Sequence, residues 1–353
     1  MFSHTGSDSR YFNREGRYGE SGAYRDPNSP YRCWYDFGPQ YKGGYRSWWG
    51  FETLPEVNEE TPSYVEFITG PGGVIDTWLR RGAAGFRLDV ADELPDEFIE
   101  KVRAAVKRVS PEKFLLGEVW EDATTKFGFN KRRTYLLGKG LDSVMNYPFK
   151  NAVLDFVKGK PAEQAMTEIL TICEHYPAPA MDTALNFLST HDTERALTVI
   201  ADEPANGRGR AWQSGRCVTG DAYEEGLLRL RMAYAIIYTL PGVPSCTTAT
   251  RLPCRLPGPF NRAFFRWDAH EQRLRLCWHN WHSSATPAKP SAPASCGFCV
   301  PRTASCTTSG WARWKLRRSS STAPSISSWR PLPAARARGE PHGLHHRGGR
   351  GGA

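Results

Sequence analysis

Residues 62–119 show two hydrophobic periods, one typical of helices and one typical of buried strands. A first helix face comprises four apolar side chains at i, i+4 spacing: Val74, Ile75, Trp78 and Leu79. The apolar segment 83–90 that follows is typical of a buried strand. Between Pro95 and Pro111 a second helix face comprises Phe98, Ile99, Val102 and Val106. Another apolar strand is predicted at 114–119, so a helix-then-strand unit occurs twice.

The same alternation continues to residue 239. The pattern predicts strands at 141–147 and 183–192, and helices around 148–158, 161–175 and 225–239. Strands separated by helices of this length indicate a parallel α/β sheet. Residues 1–60 differ, because they are rich in Gly, Tyr, Trp, Asn and Pro and have no sustained period. They predict an irregular module with short extended pieces.

Three acidic residues stand at the C-terminal ends of predicted strands: Asp89, Glu118 and Asp192. In (β/α)8 barrels the loops at these ends converge on one mouth, where catalytic groups lie. By residue type alone, the three carboxylates are compatible with a metal site, a proton-transfer pair or ordinary surface acids.

The segments around these acids resemble a known family. GFRLDVADE (85–93), LLGEVWED (115–122) and FLSTHDTER (187–195), in this order, closely resemble the strand-end motifs of the alpha-amylase family, glycoside hydrolase family 13. MFSHTG (1–6) resembles the end of that family's first motif. LPEVN (54–58) is similar to the segment that ends the inserted domain in the neopullulanase and cyclomaltodextrinase branch.

The resemblance implies a retaining α-glycosidase with three catalytic carboxylates. Asp89 would be the nucleophile, Glu118 the general acid/base, and Asp192 the carboxylate that binds sugar hydroxyls in the transition state. Such a reaction needs one anionic carboxylate below the anomeric carbon and one protonated acid beside the leaving oxygen.

The resemblance also implies three substrate-binding residues: His4, Arg87 and His191. Arg87, two residues before Asp89 on the same strand face, would keep the nucleophile ionised, and the two histidines would bind the sugar. Each has a structural alternative, since Arg87 could be an ordinary ion-pair partner, His4 a loop histidine and His191 a capping or core histidine. We interpret the neighbouring acids as solvated loop or helix-start charges: Asp92, Glu93, Glu121 and Asp122.

The chain departs from the family at both ends. The resemblance runs over residues 1–244 and returns at 259–272. It implies an α/β fold, a partial (β/α)8 TIM barrel with strands 4 to 7 intact, the first three strands missing and the last strand garbled. The predicted organisation is an irregular, aromatic-rich subdomain inserted after barrel strand 3 (1–61), the partial catalytic barrel (62–244), a garbled strand 8 region (245–272) and a disordered tail (273–353).

One lost base accounts for the change after Pro244. Cys246 to Arg251 can be encoded TGT ACT ACG GCG ACG AGG, which regroups to the Tyr-Tyr-Gly-Asp-Glu of the family's final strand. The codons of residues 295–314, read in the shifted frame, similarly give a sequence that resembles part of the family's C-terminal β-domain. We therefore expect a truncated and frameshifted reading frame. We also expect the polypeptide to be inactive, because an incomplete barrel leaves core layers without partners.

The net charge of +9 comes from the tail. Residues 281–353 hold 11 Lys and Arg and one acid, Glu340, whereas residues 1–280 hold 35 basic and 36 acidic residues. The alternative is a genuine basic tail that binds nucleic acid through phosphate contacts, with Trp311 and Trp314 as stacking residues. Since the frameshift explains the composition, we expect no nucleic-acid partner.

The predicted function is retaining hydrolysis of α-glucosidic bonds in α-glucans such as cyclomaltodextrin, pullulan or malto-oligosaccharides. Nine aromatic residues between Tyr31 and Phe51 offer faces on which a glucan can stack, although most are needed to build the core of an irregular module. The alternatives are a transglycosylase of the same family and a non-catalytic binding protein.

The remaining expectations concern cofactors, location and assembly. No cofactor or metal is predicted, since Ser3 stands where many family members have a calcium-liganding asparagine. The sequence contains no signal peptide and no apolar run of the ~20 residues that cross a bilayer, so we expect a cytoplasmic protein without a membrane partner. Dimerisation is left open.

Overall fold

The computed structural model describes residues 2–201, 209–215 and 218–246, all within one compact unit of the chain, Met1–Cys296. The helices are α1 (Pro62–Thr69), α2 (Val74–Arg80), α3 (Asp96–Val109), α4 (Tyr147–Val157), α5 (Ala162–His175), α6 (Ala178–Asp182), α7 (Ala196–Ala201), α8 (Arg210–Gly215) and α9 (Gly220–Thr239). The strands are β1 (Gly85–Leu88), β2 (Phe114–Gly117), β3 (Phe127–Gly128), β4 (Lys131–Arg132), β5 (Ser143–Val144), β6 (Leu185–Asn186) and β7 (Val243–Pro244).

Five short parallel strands follow one another in chain order. β1 pairs with β2, β2 with β5, and β6 with β7. Met145, directly after β5, forms a parallel bridge with Leu185 in β6, so the order β1-β2-β5-β6-β7 is continuous. Helices connect most of these strands, as parallel pairing requires. Among the residues described, no strand pairing joins β1 to β7.

Helix α3 forms where the periodicity predicts it. One face buries Phe98, Ile99, Val102, Ala105 and Val106, and acids occupy its first turn and bases its last, as the helix dipole favours. Asp142 fixes the helix to the sheet, because its carboxylate contacts Arg103 at 2.6 Å and Lys107 at 2.9 Å and accepts the Leu115 N–H of β2.

Residues 2–61 form an irregular module around an aromatic cluster. Isolated antiparallel bridges join its segments, including His4 to Glu56 and Phe37 to Tyr45. Phe12 and Tyr45 are buried at its centre with ring centroids 4.7 Å apart. Five of the nine aromatic residues of the segment 31–51 belong to the core or pack against it: Tyr31, Trp34, Tyr35, Phe37 and Tyr45.

Periodicity predicted the helices better than the strands. The strand predicted at 183–192 contracts to β6 and that at 141–147 to β5, since only two residues of each segment pair with a neighbouring strand as part of a named strand. The helix face predicted at residues 74–79 belongs to α2, and a further helix, α1, precedes it across a turn in which Gly72 has φ +76°. The hairpin β3–β4 and the short helices α1, α6, α7 and α8 were not predicted.

Two predicted regions fall largely outside the described residues. Of the garbled strand 8 region (245–272) the structure describes Ser245 and Cys246, and the predicted disordered tail (273–353) lies entirely outside. Within the part of the chain that is described, no helix has the length and apolar character needed to cross a membrane.

We expect Phe98→Ala to lower the free energy of unfolding by about 3–5 kcal/mol. The Phe98 ring is buried and lies 6.1 Å from Phe2 and 6.2 Å from Tyr64, so its removal leaves a cavity that joins three elements. Urea unfolding followed by circular dichroism measures the loss. Glu100→Ala, an exposed change on the same helix, is the control and should cost less than about 0.5 kcal/mol; equal losses would contradict this packing.

Candidate active site

The register of β1 and β2 brings two of the predicted carboxylates side by side. Leu88 pairs with Gly117 at the ends of the two strands, and the next residues are Asp89 and Glu118. The Glu118 N–H donates to the Leu88 carbonyl at 2.9 Å, which continues the pairing by one residue. Both acids therefore leave the sheet at the same C-terminal edge.

Arg87 contacts both carboxylates with one guanidinium. Its Nη1 pairs with Asp89 Oδ1, and its Nη2 forms an ion pair with Glu118 Oε2 at 2.9 Å. Arg87 and Asp89 lie on the same face of β1 because they are two residues apart. Arg87 is thus an ion-pair partner of both candidate catalytic acids.

Glu118 is buried, with 3% of its side chain exposed, and it is surrounded by the Arg87 guanidinium, with which it forms an ion pair, and by three hydrogen-bond donors. Besides Arg87, Oε2 accepts the Val90 N–H at 2.9 Å, while Oε1 accepts the Trp120 indole N–H and the Tyr147 hydroxyl, each at 3.2 Å. Because both oxygens have donors, the carboxyl group is held in one orientation.

Val90 has an unusual backbone conformation directly after Asp89. Its φ is +42°, in the left-handed region that a β-branched residue rarely occupies. This conformation directs its N–H to Glu118. Strain of this kind is typical of functional sites, where the surrounding structure maintains it.

Tyr147, the first residue of α4, packs below Glu118. Its ring stacks on Trp120 at 4.5 Å and meets Phe187 edge-on at 4.8 Å. Burial raises the pKa of Tyr147 above its ordinary value, so the hydroxyl stays protonated and donates. Sequence reasoning missed this residue, although its position at the end of a predicted strand matched that of the three acids.

Asp192 and His191 form a pair on the segment after β6. His191 Nε2 lies 2.9 Å from Asp192 Oδ2, and both side chains are partly exposed. Thr190, whose hydroxyl accepts the Asp192 N–H at 3.2 Å, also contacts the hydroxyl of Tyr147. Through Thr190 and Tyr147 this segment connects to Glu118.

His4 is buried beside Asp89. Its Nδ1 lies 2.9 Å from the Ser3 hydroxyl, and its ring stacks on Trp48 with centroids 5.1 Å apart. Burial lowers the pKa of His4, while the nearby Asp89 carboxylate opposes the shift. His4 therefore packs against the site instead of lying in a solvated loop.

Glu93 is not the solvated charge that the sequence suggested. Its two carboxylate oxygens accept the indole N–H groups of Trp48 and Trp49, so the interpretation of Glu93 as a solvated loop charge is wrong. Trp48 in turn stacks on His4. The two tryptophans and Glu93 form one unit, which we call the tryptophan wall.

A cavity of about 700 Å³ is lined in part by the tryptophan wall, and Asp89, Glu118 and Asp192 are not among its lining residues. Its lining includes Trp48, Trp49, Phe129 and several carboxylates, among them Glu59, whose pKa burial raises to about 8. Aromatic faces and carboxylate acceptors suit a polyhydroxylated ligand. No group of three or more His, Cys, Asp or Glu side chains within the described ranges is arranged to hold a metal ion.

We expect His4 to make stability fall as the pH is lowered. Since folding lowers its pKa from 6.5, its contribution is complete above that value and is lost as the pH falls through the folded-state pKa. The melting temperature of the unsubstituted chain should drop more between about pH 7.5 and about pH 5 than that of His4→Gln. Equal drops in the two proteins would contradict the burial of a neutral His4.

A family model and several relatives match the chain. The model described as "Alpha amylase, catalytic domain" matches residues 1–213. An amylopullulanase from Thermoanaerobacter thermohydrosulfuricus is 34% identical over 314 residues, which cover 78% of this chain and 20% of the relative. A cyclomaltodextrinase from Geobacillus thermopakistaniensis (strain MAS1) is 32% identical over 197 residues, which cover 48% of this chain and 32% of the relative.

Among solved structures, the fold is similar to that of a cyclic alpha-maltosyl-(1→6)-maltose hydrolase from Arthrobacter globiformis. The TM-score is 0.64 at 21% identity, over 80% of this chain and 57% of that one. The chain thus spans only part of the length of each of these proteins.

Proposed function

This chain belongs to the alpha-amylase family, whose catalytic domain is a (β/α)8 barrel, and we propose that its site hydrolyses α-glucosidic bonds with retention of configuration. By ancestry it is a glycoside hydrolase. The observation that carries the proposal is the guanidinium of Arg87, which contacts Asp89 and Glu118 at neighbouring strand ends. Retaining glycosidases need two carboxyl groups about 5–5.5 Å apart, and a shared guanidinium keeps two carboxylates close together.

In the first step Asp89 acts as the nucleophile. Its carboxylate attacks the anomeric carbon and forms a glycosyl ester, while protonated Glu118 transfers its proton to the glycosidic oxygen as that bond breaks. The positive charge of Arg87 beside Asp89 supports an anionic nucleophile. The outgoing sugar leaves as an alcohol.

In the second step Glu118, now ionised, accepts a proton from water. The water oxygen attacks the anomeric carbon, the ester bond to Asp89 breaks, and a sugar with its original configuration is released. The donors Val90, Trp120 and Tyr147 suit this ionised form, since each donates to a carboxylate oxygen.

Three further residues bind the sugar in this proposal. Asp192 accepts sugar hydroxyls, with His191 as its hydrogen-bonded neighbour. His4 binds beside Asp89, supported by its stacking on Trp48.

The substrate class follows from the tryptophan wall and from the relatives. Aromatic faces stack on glucose rings, and exposed Trp49 offers such a face at the cavity. Relatives named amylopullulanase and cyclomaltodextrinase support pullulan, cyclomaltodextrin and malto-oligosaccharides as substrates of this site.

We further propose that β1, β2, β5, β6 and β7 are strands 4 to 8 of the family's barrel and that residues 1–61 are the subdomain inserted after strand 3. The continuous parallel order supports this correspondence. The parallel pairing of Val243–Pro244 with β6 supports β7 as the start of the final strand, ahead of the frameshifted sequence.

The test compares hydrolysis by the 353-residue chain with hydrolysis by a longer protein, in which the family's upstream barrel segment and its reading frame after Pro244 are restored. We expect the longer protein to release reducing sugar from pullulan, cyclomaltodextrin and maltotriose. The 353-residue chain should be at least about 10²-fold slower, because β1 has a described partner strand on one side only and a misplacement of ~1 Å is that costly.

Two substitutions in the longer protein separate the outcomes. Asp89→Asn should abolish hydrolysis, whereas Asp155→Asn, on the exposed side of α4, should leave it unchanged. If the longer protein binds maltotriose but does not hydrolyse any of the three substrates, the non-catalytic alternative is favoured. Products longer than the substrate would favour transglycosylation. Turnover by the 353-residue chain at the rate of the longer protein would contradict the expected inactivity.

A further inference from the structure

A buried arginine lies in the loop between β2 and β5. The side chain of Arg133, directly after β4, is 0% exposed. A buried guanidinium carries a large desolvation cost unless each N–H group finds a partner. The partners of Arg133 therefore indicate the role of this buried charge.

All the polar partners of its guanidinium lie between the end of β1 and the first residue of α3. Nε donates to Asp96 Oδ1 at 2.7 Å, Nη1 donates to the Asp92 carbonyl at 2.7 Å, and Nη2 donates to the Leu94 carbonyl. The two carbonyls stand on either side of Glu93. Arg133 therefore fixes the backbone of Glu93 from both neighbouring residues.

Aromatic rings and a glycine complete the site around Arg133. The guanidinium carbon lies 4.4 Å from the Tyr135 ring centroid and 5.1 Å from that of Phe129. A Cβ on Gly128 would come within 3.2 Å of Nη1, so this position favours glycine. Residues of the loop between β2 and β5 thus hold the guanidinium of Arg133 in the position from which it contacts the segment after β1.

The Glu93 side chain carries this constraint to the candidate active site. Its carboxylate accepts the indole N–H groups of Trp48 and Trp49, and Trp48 stacks on His4. A chain of contacts thus runs from Arg133 through Glu93 to the tryptophan wall and to the residue beside Asp89.

We propose that Arg133 is a positioning residue: by fixing Glu93 it orders the tryptophan wall for binding of a malto-oligosaccharide. The proposal rests on the proposed function, because the sugar is the ligand of that site. Arg133 also joins the segment that follows Asp89 to the loop between β2 and β5. Preordering two large side chains improves affinity, because the ligand does not have to order them.

The test uses the 353-residue chain with two substitutions and a matched control. Arg133→Met retains the aliphatic part of the side chain without its N–H groups. Arg133→Lys retains the positive charge without the planar guanidinium group. Lys131→Ala is the control, since Lys131 contacts Glu97 at 2.6 Å and Asp96 at 3.8 Å on the same helix end. Circular dichroism establishes that each variant is folded.

The first readout is the indole N–H NMR signals of Trp48 and Trp49, assigned with Trp48→Phe and Trp49→Phe. We expect Arg133→Met to shift both signals toward those of a solvent-exposed indole and to speed amide exchange at 92–94. Arg133→Lys should have a smaller effect and Lys131→Ala none. Unchanged signals in folded Arg133→Met would overturn the proposal.

The second readout is maltotriose affinity by isothermal titration calorimetry. Arg133→Met should raise the dissociation constant about tenfold, the cost of ordering two side chains on binding, and Glu93→Ala should do the same. The double variant should bind no more weakly than the weaker single variant, since both act through one chain of contacts. Additive losses of affinity would show that Arg133 does not act through Glu93, which would overturn the proposal and assign Arg133 a purely structural role.

The two proposals fail in different ways. Absence of maltotriose binding by the unsubstituted chain would contradict the sugar-binding function and with it the ligand assigned to the wall. The indole signals would still decide whether Arg133 orders the two tryptophans.

Discussion

Two carboxyl groups that leave neighbouring strands side by side repel each other whenever both are ionised, as they are after Glu118 has given up its proton, and one of them, Glu118, is buried. The structure compensates this charge with Arg87, which contacts both acids, and with three neutral donors on Glu118. Removing an ion from water costs several kcal/mol even after relaxation. The register of β1 with β2, the strained backbone of Val90 and the position of Tyr147 all serve this arrangement.

The strands themselves are short, so contacts between loops define much of the site. Lys126 joins Asp92, after β1, to Glu121, after β2, at 3.2 and 2.6 Å. His175, at the end of α5, pairs with Asp122, and Thr124 donates to the same carboxyl group. Burial alone would raise the pKa of Asp122, but these hydrogen bonds lower it, so the interpretation of Asp122 as a solvated charge is wrong. A site built in this way depends on cations that connect loops as well as on the sheet that carries the acids.

The sequence predicted what depends on local pattern. Helix α3 follows from its apolar face, and the adjacency of Asp89 and Glu118 follows from two parallel strands with acids at their ends. The role of Glu93 could not be predicted, because its partners Trp48 and Trp49 lie about 45 residues earlier in the chain. Arg133 was missed because its partners lie about 40 residues earlier in the chain. In addition, the hairpin before it consists of two-residue strands, which are too short to show a periodicity. The roles assigned to His4, Arg87 and Asp192 came from resemblance, although the strand pattern alone had placed Asp192 at a strand end and Arg87 on the same strand face as Asp89.

The central claim is that Arg87 is required because it compensates Glu118 together with Asp89. A double-mutant cycle in urea unfolding tests it with Arg87→Met, Glu118→Gln and the double variant of the 353-residue chain. We expect Arg87→Met to lower the free energy of unfolding by about 2 kcal/mol or more, since it leaves a buried carboxylate without its cation. In the Glu118→Gln background the same change should cost less than half as much. Equal costs in the two backgrounds would contradict the account.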